Sequence, residues 1–363
     1  MAVAYVIEQN ASVSREGERL LIRKGTSVLH SLHLFKLEQL VLFGSVSLTP
    51  QAISTLLQSG IDTVFMSKNG RYRGRLQALQ SKNITLRCDQ FSRLAQERFS
   101  LETSRDLIAG KIANQRAVLL RLNRSRDGVE LDDSILEMKR LAQQAAQASG
   151  LDVLRGYEGR SAVVYFDGFA RGFLADGVTF TKRTRRPPTD PVNALLSLGY
   201  TLLFNTVMAA VSLVGFDPYL GCFHAVDYGR PSLALDLMEE WRPVIVDSLV
   251  LSVFNLKTLT LADFVTAPAN ANEVEDEQGP DLTGAFDRGQ VETKETPCGL
   301  PVRLTDTGFR KFITQFERKM AEKVRFPPSN LQLGYRDCIR EQVRHFARCV
   351  RGEEKAYQPF IWK

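Results

Sequence analysis

The chain has 363 residues, more than one domain usually holds, and 44% are hydrophobic, an ordinary share for a globular protein. Lysine and arginine outnumber aspartate and glutamate 47 to 41, a formal charge of +6 and a pI of about 9.1. That leans towards a polyanionic partner, with any basic surface built by local clustering. Five cysteines without a C-x-x-C pair argue against a disulfide framework or a zinc knuckle. The opening M-A-V-A-Y-V-I-E lacks the basic region and apolar core of a signal peptide, so a cytoplasmic location is expected.

Residues 1–86 predict a small β-sandwich-like domain. Ala2–Ile7, Leu20–Lys24, Leu40–Phe43 and Asp62–Met66 are β-prone runs, the first two parted by the polar Ser12–Glu18. Thr49-Pro50 opens a short helix through Leu57 that Gly60 ends. Asn69-Gly70 carries the signature of a tight hairpin turn. From about Gln90 the period becomes helical, with Phe91, Leu94, Phe99, Leu107, Ile108, Ile112, Val118 and Leu119, and Asp132–Ala148 is a further helix. Residues 87–363 therefore read as a larger all-α domain, and the fold class as α+β.

Next comes Arg155-Gly-Tyr-Glu158-Gly-Arg160, one acid between two glycines ahead of an apolar run. Glycine lets a backbone approach a neighbour closely, and a carboxylate in a cramped place needs a partner. Lys182, Arg183, Arg185 and Arg186 form a basic run, readable as a phosphate contact or as a plain charged loop. It precedes an uncharged segment, Pro191 to Phe216. Asn193, Ser197, Thr201, Asn205 and Ser212 mark a polar stripe there, which points to a helix buried against a neighbour or cleft rather than a membrane span.

His224 stands shortly before a helix carrying Asp236, Glu239 and Glu240, while Leu233, Leu237, Trp241 and Val244 line its apolar side. Carboxylates with one imidazole suit Mg²⁺ or Mn²⁺ better than Zn²⁺. A solvated acidic face beside an ordinary histidine is the bland alternative. Residues 270–296 are acidic and poor in large apolar residues, and read as a loop inserted in the helical domain. Helix returns at Thr305 with Phe309, Phe312, Ile313, Phe316 and Met320 on one face. In the last helix Arg336, Arg340, Arg344 and Arg348 fall four apart, a basic ridge that serves either as a phosphate track or as a solvated face. His30, His33 and His345 have no acid nearby in sequence and are expected to be structural.

Making or breaking a phosphodiester requires an activated oxygen and stabilised phosphate charge, and a hard divalent ion supplies both. Glu158, His224 and one acid of the 236–240 helix have the chemistry to hold it, and spacing does not choose among Asp236, Glu239 and Glu240. The order of G-Y-E-G around Glu158, R-P-P-T-D-P-V-N-A-L-L-S-L-G-Y-T-L-L from Arg186, His224, and D-L-M-E-E-W-R-P from Asp236 resembles the CRISPR-associated nuclease-integrase family. G-R-Y-R-G-R-L (Gly70 to Leu76), K-I-A-N-Q (Lys111 to Gln115) and the final Y-Q-P-F (Tyr357 to Phe360) also fit, so the likeness spans nearly the whole chain. Trp241 stands where that family often has phenylalanine, and the acidic insert is long.

The resemblance implies Glu158, His224 and Glu239 as ligands of Mg²⁺ or Mn²⁺, with Asp236 in or beside the site. It implies transfer of a protospacer 3′-hydroxyl onto a phosphodiester of a CRISPR repeat. It also implies double-stranded DNA, a homodimer formed through the N-terminal domain and a small second CRISPR-associated adaptation protein as partners, and no membrane. The competing function is a non-catalytic nucleic-acid scaffold that uses the arginine ridge.

Overall fold

The computed structural model describes residues 2–78, 83–125, 128, 130–184, 187–225, 227–266, 300–327 and 329–362. These fall into two compact units, one within Met1–Gln80 and one within Ser81–Pro268 and Leu282–Lys363. The acidic stretch 270–296 lies outside the described residues.

The N-terminal unit holds eight strands: β1 (Ala2–Val6), β2 (Ala11–Glu16), β3 (Arg19–Lys24), β4 (Ser27–His33), β5 (Leu37–Phe43), β6 (Val46–Leu48), β7 (Asp62–Met66) and β8 (Tyr72–Leu76). They form two four-stranded sheets, ordered β1-β5-β7-β8 and β4-β3-β2-β6. The β1–β5, β5–β7 and β2–β6 pairs are parallel and the others antiparallel. Val6, Val13, Leu20, Ile22, Leu40 and Leu42 from the two sheets share a core with Ala52 and Leu56 of helix α1 (Pro50–Gln58). Thr49 caps α1, its hydroxyl accepting from the Ala52 amide at 3.2 Å. Gly60 follows the helix at φ +64° and Gly70 makes the β7–β8 turn at φ +86°.

Four strands have no counterpart among the β-prone runs: β2, β4, the short β6, and β8, which follows the Asn69-Gly70 turn. Strand β2 lies in the stretch read as a polar connection. Ala11 and Val13 are buried while Ser12 and Ser14 face outward, so its alternation is carried by small residues. Strand β4 is exposed along most of its length, as an edge strand, and shows no alternation at all.

The second unit contains α2 (Ile84–Leu94), α3 (Glu97–Arg124), α4 (Asp132–Ala145), α5 (Leu151–Ala170), α6 (Pro191–Val214), α7 (Ser232–Met238), a π-helical turn (Arg242–Asp247), α8 (Ser248–Asn255), α9 (Asp306–Ala321) and α10 (Tyr335–Val350). The expected continuous helix from Gln90 is two helices. The unit is also not all-α: β9 (Phe264–Thr266) pairs with β10 (Val302–Leu304), and β11 (Lys323–Phe326) with β12 (Leu331–Gly334). Helix α2 begins at Ile84, ahead of residue 86.

Helix α6 is long and apolar enough to cross a membrane, yet most of it is buried inside this unit. Asp190 caps it by accepting from the Asn193 amide at 2.8 Å, Pro191 fills the first turn, and Gly215 ends it in the left-handed conformation. Four of the five residues of its polar stripe are engaged within the unit. Thr201 and Asn205 donate to carbonyls four residues back, and Asn193 and Ser197 meet Arg183.

Candidate metal centre

Four segments of the helical unit bring their polar residues to one buried place: α3, α5, the 222–224 turn, and α7 with the turn after it. The chain leaves α7 at Met238 and continues as a π turn from Arg242. Pro243 has no N–H to offer the carbonyl four residues back, that of Glu239, so the regular α ladder cannot run on.

Glu158 on α5 and Glu239 converge on the ammonium of Lys111 from α3. Lys111 Nζ lies 2.5 Å from Glu158 Oε1 and 2.6 Å from Glu239 Oε2. Arg242 flanks Glu239, with Nη1 3.1 Å from Oε1. Glu239 is 2% exposed. Burial alone would raise its pKa, but Lys111, Arg242 and His224 outweigh that and hold it at about 2. The partner expected for Glu158 is therefore a lysine. At Gly156 a Cβ would meet open space, so no close backbone approach calls for a glycine there.

His224 is fixed by Asp236. Its Nδ1 lies 2.6 Å from Asp236 Oδ1, and the same carboxylate accepts the backbone N–H groups of Cys222 (2.6 Å), Phe223 (3.1 Å) and His224 (3.0 Å). Such convergence needs close approach: a Cβ at Gly221 would stand 2.4 Å from Asp236 Oδ2. With Nδ1 turned to the carboxylate, the neutral form of the ring would carry its lone pair on Nε2.

The three acids of the 236–240 segment therefore part company, although their three- and four-residue spacing on a regular helix would put them on one edge. Asp236 holds the His224 turn and Glu239 faces Lys111. Glu240 turns to the C-terminal tail, where it accepts from the Tyr357 hydroxyl and the Phe360 amide, each at 2.8 Å. Burial pushes the Glu240 pKa up to about 8. Asn114 of α3 ties the same places together, donating to the carbonyls of Glu240 and Phe360 and accepting from the Trp362 amide, all at 2.8 Å.

Deeper in, Asp247 accepts from Tyr200 (2.5 Å) and Tyr165 (2.8 Å), and the Arg242 guanidinium lies 4.3 Å from the Tyr200 ring centre. Lys111, Arg242, Asn114 and Asp247 had no role in the sequence reading. The K-I-A-N-Q and Y-Q-P-F motifs held the signal, but only proximity in space gives it meaning.

Two carboxylates and an imidazole suit a hard divalent ion, and a cation already sits between two of the donors. The ligand atoms of Glu158, His224 and Glu239 are not all within 4.8 Å of one another. Among the described residues the trio that meets that spacing is His345, Cys349 and Glu354. His345 is thus not without an acid, as its sequence neighbourhood had implied. The trio's donors are nevertheless committed. His345 Nδ1 lies 2.6 Å from Glu354 and Nε2 accepts from the Gln358 amide at 2.9 Å. Burial pushes the Cys349 thiol up to about 12, and it donates to the Ala356 carbonyl. These bonds fasten the chain reversal after α10.

The basic candidates divide. Arg183 is half-buried and turned inward onto Asn193 and Ser197, and burial lowers its pKa to about 10, so its guanidinium is engaged within the unit. Lys182 is exposed, and Arg185 and Arg186 lie outside the described residues. Each arginine of the ridge on α10 is paired: Arg336 with Glu317, Arg340 with Asp337, Arg344 with Glu341 and Arg348 with Glu354.

Residues 4–288 match the family described as CRISPR associated protein Cas1. A relative named CRISPR-associated endonuclease Cas1 3, from Thermus thermophilus, is 35% identical over 362 residues, which cover 99% of this chain and 97% of the relative. A structure titled "Casposase bound to integration product" matches at a TM-score of 0.81 and 20% identity, covering 100% of this chain and 95% of that one. One titled "Cas6-RT-Cas1--Cas2 complex" matches at 0.81 and 21% identity, covering 100% of this chain and 36% of that one. At such identities the structural likeness speaks for the fold.

Proposed function

This chain belongs to the Cas1 family of CRISPR-associated proteins, and from that premise we propose that it is a metal-dependent DNA endonuclease and integrase of CRISPR adaptation. It captures fragments of foreign DNA and inserts them as spacers into a CRISPR array, in the cytoplasm, as part of antiviral defence. The observation that carries this reading is the convergence of two buried carboxylates, Glu158 and Glu239, on one cation position, with His224 braced close by.

In this reading Glu158, His224 and Glu239 hold Mg²⁺ or Mn²⁺. When bound, the ion activates the attacking oxygen and offsets charge on the phosphodiester. Asp236 fixes the ring of His224 so that Nε2 is the available ligand, and Arg242 keeps Glu239 ionised and oriented. The partners are double-stranded DNA, a second copy joined through the N-terminal β unit, and the small second adaptation protein. The complex title among the structural neighbours supports the last of these. The exposed edge strand β4 is a surface suited to pairing copies.

The test is transfer of a labelled duplex into a supercoiled plasmid carrying a leader and repeat, with the small partner present, in Mn²⁺ and in EDTA. Joining that needs Mn²⁺ and disappears in Glu158→Ala supports the reading. Salt-sensitive DNA retention without joining would leave a non-catalytic scaffold in its place.

A further inference from the structure

Lys111 occupies the one point where Glu158 and Glu239 meet. Its side chain is 4% exposed, and those of the two acids 9% and 3%. The same two oxygens, Glu158 Oε1 and Glu239 Oε2, face its ammonium at 2.5 and 2.6 Å. Two like charges held this close and this dry need a cation between them. A divalent ion ligated by both carboxylates would claim the same lone pairs and repel the ammonium. The ion and the ammonium therefore compete for these two oxygens.

The geometry points to Lys111 as a built-in counter-cation of the site, exchanging places with the divalent ion. This inference rests on the reading of Glu158 and Glu239 as ligands. Residue types support an exchange. Arg242 presents a rigid fork to Glu239 and stays charged, whereas Lys111 carries its charge on a flexible four-carbon stem that can swing aside while its backbone stays in α3. The exchange keeps the two acids neutralised in both states. It also lowers ion affinity, because each ion that enters must displace an ammonium already bonded twice.

A lysine that only braced the fold would be needed in both states, so removing it would lower stability and ion affinity together. An exchanging lysine predicts opposite signs. Isothermal titration of Mn²⁺ into the full chain, wild type, Lys111→Met and Glu158→Gln, reads affinity, and thermal melts in EDTA read stability. The expected result is a Kd for Lys111→Met that is tighter by about tenfold or more, together with a lower melting temperature in EDTA and a larger rise on adding Mn²⁺. Binding that requires Glu158 but is unchanged or weaker in Lys111→Met would overturn the exchange alone. No binding by wild type, or binding that Glu158→Gln leaves intact, would overturn the metal reading and the exchange with it.

If Lys111→Met does not fold, ¹⁵N-lysine NMR of the wild type answers the same question, with the Lys111 signal assigned by its loss in Lys111→Arg. A buried ammonium signal seen in EDTA that moves or loses its protection on titration with Mg²⁺ supports the exchange. A signal unchanged at saturating Mg²⁺ overturns it.

Discussion

A single carboxylate, that of Asp236, sets the position of His224. It accepts three consecutive backbone N–H groups and meets the ring Nδ1, two contacts to each oxygen, which fills its acceptor capacity. Asp236→Asn keeps the shape but puts an NH₂ where an acceptor is required, so two of these donors lose their partner, whichever oxygen is replaced. The expected outcome is a destabilisation of about 2–4 kcal/mol and a Mn²⁺ affinity lower by about 10- to 100-fold, read by chemical unfolding and by titration. Unchanged affinity would remove Asp236 from the site. Asp247 supplies a second test at this scale. Burial pushes its pKa up to about 6, against the opposing pull of the Tyr200 and Tyr165 hydroxyls and of Arg242. The folded protein therefore keeps a proton that the unfolded chain releases near pH 4, and unfolding free energy falls as pH rises from about 4 to about 6, by at most about 1.4 kcal/mol per unit from this group. Asp247→Asn should flatten that limb when unfolding is followed at pH 4.5 and 6.5. An identical slope in the variant would contradict the assignment.

At the scale of elements, the sequence disclosed whatever was strongly periodic or capped. Helices α1, α6 and α9 and strand β7 follow from Thr49-Pro50, Asp190-Pro191, Thr305 and the run Asp62–Met66. What stayed hidden was decided by tertiary neighbours: β2, whose pattern rests on small residues, and the divergence of Asp236, Glu239 and Glu240. That divergence depends on Pro243 interrupting the α ladder and on a C-terminal tail more than a hundred residues away. Glu158, His224 and Glu239 were legible as chemistry, but the ammonium between two of them was not, because nothing in K-I-A-N-Q says where Lys111 points. The tail acts on the turn after α7 from two sides, through Tyr357 and Phe360 on the Glu240 carboxyl and through Asn114 on its carbonyl. Tyr357→Phe leaves a buried carboxyl oxygen short of a donor and should cost about 1–3 kcal/mol. Asn114→Ala should cost a similar amount. Because both hold one turn, the double variant should lose less than the sum, by at least about 0.5 kcal/mol in a double-mutant cycle. Strict additivity would mean that tail and α3 grip independent structures.

For the whole molecule, a charge of +6 on 363 residues is too small to hold DNA by itself, so placement decides. The α10 ridge reads in sequence as either a phosphate track or a solvated face, and each of its four arginines faces a carboxylate. Pairing does not disqualify all four alike. An exposed ion pair contributes about 0–1 kcal/mol, which a phosphate can readily replace, whereas opening a part-buried one leaves its partner less solvated and costs more. The Arg336 side chain is 14% exposed and meets both oxygens of Glu317, and that of Arg344 is 53% exposed beside Glu341. Arg344 therefore belongs to the surface a polyanion can reach, and Arg336 to the packing of α10 on α9. Arg344→Gln should weaken duplex retention equally for all sequences and reduce the slope of log affinity against log salt by about 1 between about 50 and 200 mM, with little change in melting temperature. Arg336→Gln should do the reverse, lowering the melting temperature and leaving the salt slope alone. Binding titrations across that salt range, paired with melts of the same samples, separate the two. If Arg336→Gln carried the change in slope, the charge that meets DNA would lie where α10 is buried, and the ridge would have to open when DNA binds.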